Sequence, residues 1–354
     1  MLATSRPHDP ARTRDRVTQL STASLRRVID PDLDLVGSLG DGQVLPDELL
    51  SIHELPEFAS LTLEQRARLA REEVASIVES GLRFEAVLMA GFSMEIFRND
   101  DLTDPEVVYS LHEIGEETRH SRLFSRLLSQ LEPTARNPLS RWRWVAAKII
   151  PRILRRRATL DVLVLGGEEI PDLLQRKAAE HPDTDPFLRE VNRYHRGEEA
   201  RHLAYARAVL PSRLAEAGRV DRFLVRHVVP RIIHMMFDTL VHPGVYATVG
   251  LPTFDTWKRA NKTPSRVALR HEATRPIVAS LMAAGAMRGG RLTKPWRELA
   301  GVGASRPTAR LSVSGSHRAR HQDSSARRWR IGIGISMGSP SRMALTCSPS
   351  SSHT

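Results

Sequence analysis

One short pattern occurs twice in this chain. Glu116-Glu117-Thr118-Arg119-His120 is echoed 82 residues later by Glu198-Glu199-Ala200-Arg201-His202. In each copy a Glu precedes a His by three positions, Glu117 with His120 and Glu199 with His202. Residues three apart on a helix share a face, so each pair can point at one place. A carboxylate beside an imidazole is a donor pair for a divalent transition metal. A solvated Glu/His face accounts comfortably for one copy and poorly for two.

Further candidates lie nearby. Glu85 falls three residues after Leu82 and four before Met89, inside an apolar stripe; a lone acid there also fits a partly exposed edge. Glu168 follows Val164 by four, and Gly166-Gly167 before it would allow another helix to come close. Its neighbour Glu169 aligns with Leu165 and Leu173, and periodicity does not separate the two acids. His195 stands four before Glu199 and seven before His202, so all three share a face. For His195 alone, a core or rim histidine bonded to a carbonyl is the competing reading.

Helices must carry these residues. Thr62-Leu63-Glu64-Gln65 reads as a capping box opening a long helix to about Arg98, with Val78, Leu82, Met89 and Phe92 on its stripe. Asp104-Pro105-Glu106 predicts a second start. That helix carries Val107, Leu111, Ile114, Phe124, Leu127 and Leu131, and stops before Pro133. A third region covers about 141–180, interrupted or kinked at Pro151 and strained near Pro171. Asp185-Pro186 opens a fourth, with Leu188, Val191, Ala206 and Val209 on one stripe, ending at Pro211. Further helices are expected at 212–240 and 264–288. Strand-like alternation is scarce, so the expected fold class is all-α: a ferritin-like helical bundle with additional C-terminal helices. The expected organisation is a flexible leader over 1–50, a bundle domain over 51–300 and a disordered basic Ser/Gly/Arg-rich tail over 301–354.

One Glu from each of two helices, plus Glu-x-x-His from each of two others, is the donor set of di-iron carboxylate bundles. Four carboxylates offset much of the charge of two metal ions, and two imidazoles add ligands that iron favours. At these residues the chain resembles the AurF-like di-iron oxygenases, the family of para-aminobenzoate N-oxygenase. That family is similar to ferritin-type bundles, with a site of four Glu and three His. Its extra His comes as His-x3-Glu-x2-His on one helix, here His195-Arg196-Gly197-Glu198-Glu199-Ala200-Arg201-His202. The resemblance covers roughly residues 60–240. It implies Glu85, Glu117, His120, Glu168, His195, Glu199 and His202 as metal ligands, with Glu168 favoured over Glu169 by its spacing of 27 to His195. Glu198 departs from the pattern, since related sites often carry Asp there. It is expected to accept a hydrogen bond from a ligand imidazole. The implied cofactor is two Fe in a non-haem centre, with O2 as co-substrate, and the implied reaction is N-oxygenation of an (aryl)amine. The same ligands would serve a hydroxylase or desaturase of a carbon substrate, or a ferritin-like iron oxidase without organic substrate. A metal-free helical binding protein is the most distant alternative.

Composition excludes other classes. The 354 residues include one cysteine, Cys347, which rules out a disulfide framework and Cys-held zinc or iron–sulfur sites. No apolar stretch is long enough to span a membrane and the N-terminus has no apolar signal core, so a cytoplasmic location is expected. The net charge of +11 invites a nucleic-acid reading, but residues 301–354 hold eight Arg against one Asp. The excess thus sits mainly in the expected tail, around Arg327-Arg328-Trp329-Arg330, and nucleic acid is not the expected partner. Expected partners are a small-molecule amine, an external electron donor (a reductase or small reductant) and a second copy in a homodimer. The run Arg152, Arg155, Arg156, Arg157 reads first as a solvated helix face.

Overall fold

The computed structural model describes residues 10–26 and 28–303 of the chain. Its helices are α1 (Pro10–Arg26), α2 (Pro31–Asp34), α3 (Leu63–Arg98), α4 (Pro105–Leu131), α5 (Arg143–Ile153), α6 (Arg157–Glu180), α7 (Pro186–Glu216), α8 (Arg219–Phe223), α9 (Val229–Thr239), α10 (Thr253–Ala260), α11 (Pro264–Ala283) and α12 (Lys294–Ala300). No strand occurs among the described residues, and the fold is the all-helical bundle expected. None of their helices is long and apolar enough to cross a membrane.

The long helices begin where side chains satisfy their first free N–H groups. Thr62 Oγ1 accepts from Gln65 N (3.2 Å) and Gln65 Oε1 accepts from Thr62 N (2.9 Å), closing the box that opens α3. Asp104 accepts from Glu106 N at 2.8 Å ahead of Pro105, and Asp185 from Leu188 N at 3.0 Å ahead of Pro186. Each cap stabilises its helix by about 1 kcal/mol. They also set the register in which Glu85, Glu117, His195, Glu199 and His202 face inward. At its other end α4 stops at Glu132, whose φ of 47° is left-handed, just before Pro133.

The bundle core is α3, α4, α6 and α7. α3 packs along α4 and α6 along α7, with α3–α6 and α4–α7 contacts closing the square. Close approach of α3 and α6 depends on Gly167: a Cβ there would lie 1.7 Å from Phe84 Cζ. Two apolar cores flank the middle of the bundle. One joins α3, α4 and the start of α7 to residues 35–61; the other joins α6 and the second half of α7 to α9, α11 and α12.

Four expectations need correction. The leader is not loose in its described part. α1 packs on α4 and α7 through Val17 and Leu20, and Leu35, Leu39, Val44, Leu45 and Leu50 enter the first core. These leucines sit in loops and short turns, so they leave no periodic trace in the sequence. The third region is two helices with a break at 154–156; Pro151 and Pro171 both lie inside helices. α7 runs through Pro211 to Glu216, because buried Leu210, Arg213 and Leu214 anchor the turn that proline weakens. The segment 212–240 is divided into the end of α7, α8, a π-helical turn at Leu224–Val228, and α9. The expected tail lies, from residue 304 on, outside the described residues. Of the basic run, Arg157 pairs with Glu95 (Nε–Oε1 3.0 Å) while staying partly exposed.

Candidate metal centre

All seven side chains singled out in the sequence are buried and converge between the four core helices. Glu85 comes from α3, Glu117 and His120 from α4, Glu168 from α6, and His195, Glu199 and His202 from α7. Their donor atoms form overlapping groups able to hold metal: Glu85 with His120, His195 and Glu199; Glu85 with Glu117 and Glu168; and Glu117 with His202 and Glu113. Glu168 turns into the cluster, whereas Glu169 pairs with Arg207.

The two repeated motifs interlock. His120 Nδ1 lies 3.0 Å from Glu117 Oε2 and 3.2 Å from Glu199 Oε1. His202 Nδ1 lies 3.0 Å from Glu199 Oε2 and 3.1 Å from Glu117 Oε1. Glu117 and Glu199 therefore each offer one oxygen toward each imidazole. The other imidazole nitrogens point across to the opposite helix: His120 Nε2 to Glu198 Oε2 at 3.0 Å and His202 Nε2 to Glu116 Oε2 at 2.7 Å. Burial presses both imidazoles down, but the carboxylates around them raise both well above the usual range, so each bonds acids through both nitrogens. With a metal in place and the Nε2 protons donated to Glu198 and Glu116, both Nδ1 lone pairs would face inward. Arg201 braces Glu116 (2.8 Å), Arg119 braces Glu198 (3.3 Å), and Tyr194 donates to Glu198 at 2.9 Å. In Glu-Glu-x-Arg-His the first Glu thus orients the other motif's His, and the Arg holds a Glu that does so. Glu198 reaches its imidazole despite the longer arm.

His195 is fixed differently. Its Nδ1 meets Gln175 Oε1 at 3.0 Å, and Phe124 stacks on the ring. Nε2 looks into the cluster, 3.4 Å from Glu199 Oε1 and 3.6 Å from Glu85 Oε1, with no hydrogen-bond partner. The competing reading, a histidine bonded to a carbonyl, fits only its outward nitrogen, and there the carbonyl is a side-chain amide.

Sequence reasoning missed Glu113. It is 1% exposed, its Oε2 is unpartnered, and its Oε1 lies 4.0 Å from His202 Nδ1. Its position four residues before Glu117, on the same face, was the available signal. The centre is asymmetric as a result: His195 and Glu85 gather on the His120 side, Glu113 on the His202 side.

The electrostatics is that of an anion cluster short of cations. Burial, then the carboxylates of Glu117 and Glu199, raise Glu85 well above the usual range, and burial with Glu199 does the same to Glu168. Burial also presses Glu117 upward, but His202 and His120 outweigh it and hold it at about 2. Burial and the neighbouring His120 lower His195 to about 4, so its imidazole is neutral and its lone pair free. Glu85 Oε2, Glu113 Oε2, Glu117 Oε1, Glu168 Oε1, Glu199 Oε1 and His195 Nε2 are buried without hydrogen-bond partners. Several orphaned acceptors converging in a dry interior are costly unless a cation meets them, and so the residues fit a metal centre.

A cavity of about 930 Å³ reaches this centre. Glu85, Glu168 and His195 line it; Glu113, Glu117, His120, Glu199 and His202 do not.

The family model described as p-aminobenzoate N-oxygenase AurF matches residues 10–285. The chain belongs to this family. Membership places it among oxygenases built as helical di-iron bundles, and its buried Glu/His groups are able to hold the metal. It is also similar to the uncharacterized proteins Rv0885 and MT0908 of Mycobacterium tuberculosis (strains H37Rv and CDC 1551) and Mb0909 of Mycobacterium bovis. Each is 26% identical over 246 residues, which cover 66% of this chain and 71% of the relative. No solved structure matches the chain significantly.

Proposed function

We propose that the protein uses two iron ions and O2 to N-oxygenate an amine. The observation that carries the metal reading is the convergence of orphaned carboxylate oxygens and the His195 Nε2 lone pair from four helices. Glu85, Glu117, His120, Glu168, His195, Glu199 and His202 would hold the metals, with Glu113 as an eighth donor. When bound, the ions supply O2 activation; electrons come from a separate reductase or small reductant.

The chain's own part is positioning and exclusion. Glu116 and Glu198 keep the two Nδ1 lone pairs aimed inward, and Arg119 and Arg201 keep those acids ionised and in place. The apolar cores on either side exclude water. Substrate reaches the centre on the face formed by Glu85, Glu168 and His195, because only those three line the cavity. The third imidazole, the feature that sets the family resemblance apart from a ferritin-type site, therefore lies on the substrate side. The apolar cavity favours one rival as well, a hydroxylase or desaturase of a carbon substrate.

The test is metal content per chain, the optical spectrum after ferrous loading and O2, and product analysis with amine and hydrocarbon substrates. Two irons per chain with an O2-dependent spectral change and an N-oxygenated product is the expected result. Carbon-centred products would select the hydroxylase, and iron mineralisation without substrate turnover the iron oxidase.

A further inference from the structure

The cavity is far larger than a single-ring amine needs. At about 930 Å³ it stands at the upper end of small-molecule sites. Its wall is mainly apolar, with Ile77, Val78, Leu163, Val164, Leu174 and Met236 typical of it. Such a surface recognises an alkyl body chiefly by area, with polar lining residues such as Gln175, Asn192 and Thr239 in the minority.

Away from the ligands, one buried cation lines this wall. Arg266 on α11 is 7% exposed. Its Nε has no hydrogen-bond partner, and its Nη2 has only long contacts, 3.4 Å to Asn261 Oδ1 and 3.5 Å to Phe237 O. No carboxylate lies within 4.0 Å of its guanidinium among the described residues. The nearby acids are engaged elsewhere: Glu73 by Ser51, and Asp238 by Arg270 and His234. By contrast, buried Arg213 has Glu95, Glu106 and Asp161 around it. A guanidinium buried without an acid is expensive, and a ligand carboxylate matches its planar fork.

The helix measures the distance from this cation to the centre. Arg266 has Glu73 as an electrostatic neighbour, and Ser76 Oγ bonds the carbonyl of Leu240, which like Arg266 lines the cavity, at 2.7 Å. Glu73 and Ser76 precede Glu85 by twelve and nine residues on α3, which at the α-helical rise is about 14–18 Å. A single-ring amino acid cannot touch both ends of that span.

We infer that the substrate is a long amphiphile, its carboxylate held by Arg266 and its alkyl body filling the cavity, with the reacting group delivered to the Glu85/Glu168/His195 face. This rests on the proposed function only for the reaction at the far end; the binding site stands on the cavity and Arg266.

The test is calorimetric titration of the full chain, with and without iron, using hexanoate, octanoate, decanoate and dodecanoate, then dodecanol and p-aminobenzoate. Affinity should rise about fourfold per added CH2 until the cavity is filled. Dodecanoate should bind at least about tenfold more tightly than dodecanol, and far more tightly than p-aminobenzoate. Arg266→Gln should remove the carboxylate preference while leaving dodecanol binding unchanged. Affinity independent of chain length, or p-aminobenzoate binding best, overturns the inference, and does so in the unaltered chain even if the variant fails to fold. Equal losses for carboxylate and alcohol in Arg266→Gln would make the arginine merely structural and also overturn it. A chain that holds two irons but ignores these carboxylates refutes this inference alone. One that binds them but holds no iron refutes the proposed function alone.

Discussion

Glu73 and Glu85 lie twelve residues apart on α3, both buried, and the protein treats them in opposite ways. Glu73 is fully engaged. It accepts from Ser51 N at 2.9 Å and from Ser51 Oγ at 2.5 Å, and Tyr246 extends the network at 2.9 Å from Ser51 Oγ. Its neighbour Glu72 likewise takes Thr134 N, Thr134 Oγ and Ala135 N. Glu85 has no such donors: its Oε2 is orphaned, and Glu117 and Glu199 crowd it with like charge. An acid buried for structure is met by the chain's own N–H and O–H groups. Glu85 is left without such donors and held among other acids, the environment that a cation would stabilise. Burial alone would not tell these two glutamates apart; the donor inventory does.

The largest effect should come from removing an imidazole that both central glutamates reach. His202→Ala takes away the imidazole to which Glu117 and Glu199 both reach. Bound iron should fall from two to one or fewer per chain, with turnover down at least about 100-fold. Metal analysis that still finds two irons would remove His202 from the ligand set.

Exchanging the fates of the two α3 glutamates tests the comparison directly. Glu73→Ala strands the Ser51 donors and should cost about 1–3 kcal/mol of stability with iron content unchanged. Glu85→Gln should do the reverse. The Glu85 carboxyl is raised by burial and its acidic neighbours, so an amide should change the stability of the iron-free chain by under about 0.5 kcal/mol while weakening iron binding. Denaturant melts paired with metal analysis on both variants decide it. Glu73 also predicts a pH slope. Burial raises its carboxyl from 4.5 to about 7, so the folded chain binds that proton more tightly than the unfolded one. The stability gained is complete below pH 4.5 and disappears as pH rises through about 7, at most about 3 kcal/mol. Glu73→Gln should abolish that part of the slope.

Glu198 sharpens the comparison, being satisfied like Glu73 yet bonded to His120, one of the proposed ligands. Glu198→Ala should weaken iron affinity about 10–100-fold, and Glu198→Asp should recover most of it. No loss in the Ala variant would reduce the His120–Glu198 bond to packing.

The smallest effect on metal content, and the most specific one, is expected at His195. His195→Ala removes a neutral donor and leaves every carboxylate, so two irons should still bind, while the optical spectrum, O2 reactivity and amine turnover change. If all three match the unaltered chain, the seven-ligand centre is wrong and a generic di-iron bundle remains.

Much of this centre was legible in the amino-acid order. The repeated Glu-x-x-His and the His four residues before Glu199 follow from helical periodicity, which is local and survives in a one-dimensional string. Periodicity left Glu85 between the stripe and an exposed edge, and the family resemblance implied its inward place. The caps at Thr62, Asp104 and Asp185 are local for the same reason. What periodicity could not hold is whatever depends on a partner distant in sequence. It did not separate Glu168 from Glu169, because both lie on apolar rows of α6; Arg207 on α7 claims one and the cluster the other. It passed over Glu113, which looked like one more helix acid until His202 was brought to 4.0 Å. It missed the packing of residues 35–50, whose leucines insert singly from loops. The pairing of each motif's first Glu with the other's His spans 78 residues in one case and 86 in the other, and only the packing of α4 against α7 could decide it. The sequence determined which residues could be ligands, since helix geometry is set by neighbours along the chain. The tertiary structure decided which acids were left without donors, since satisfying a buried carboxylate takes groups from elsewhere in the fold.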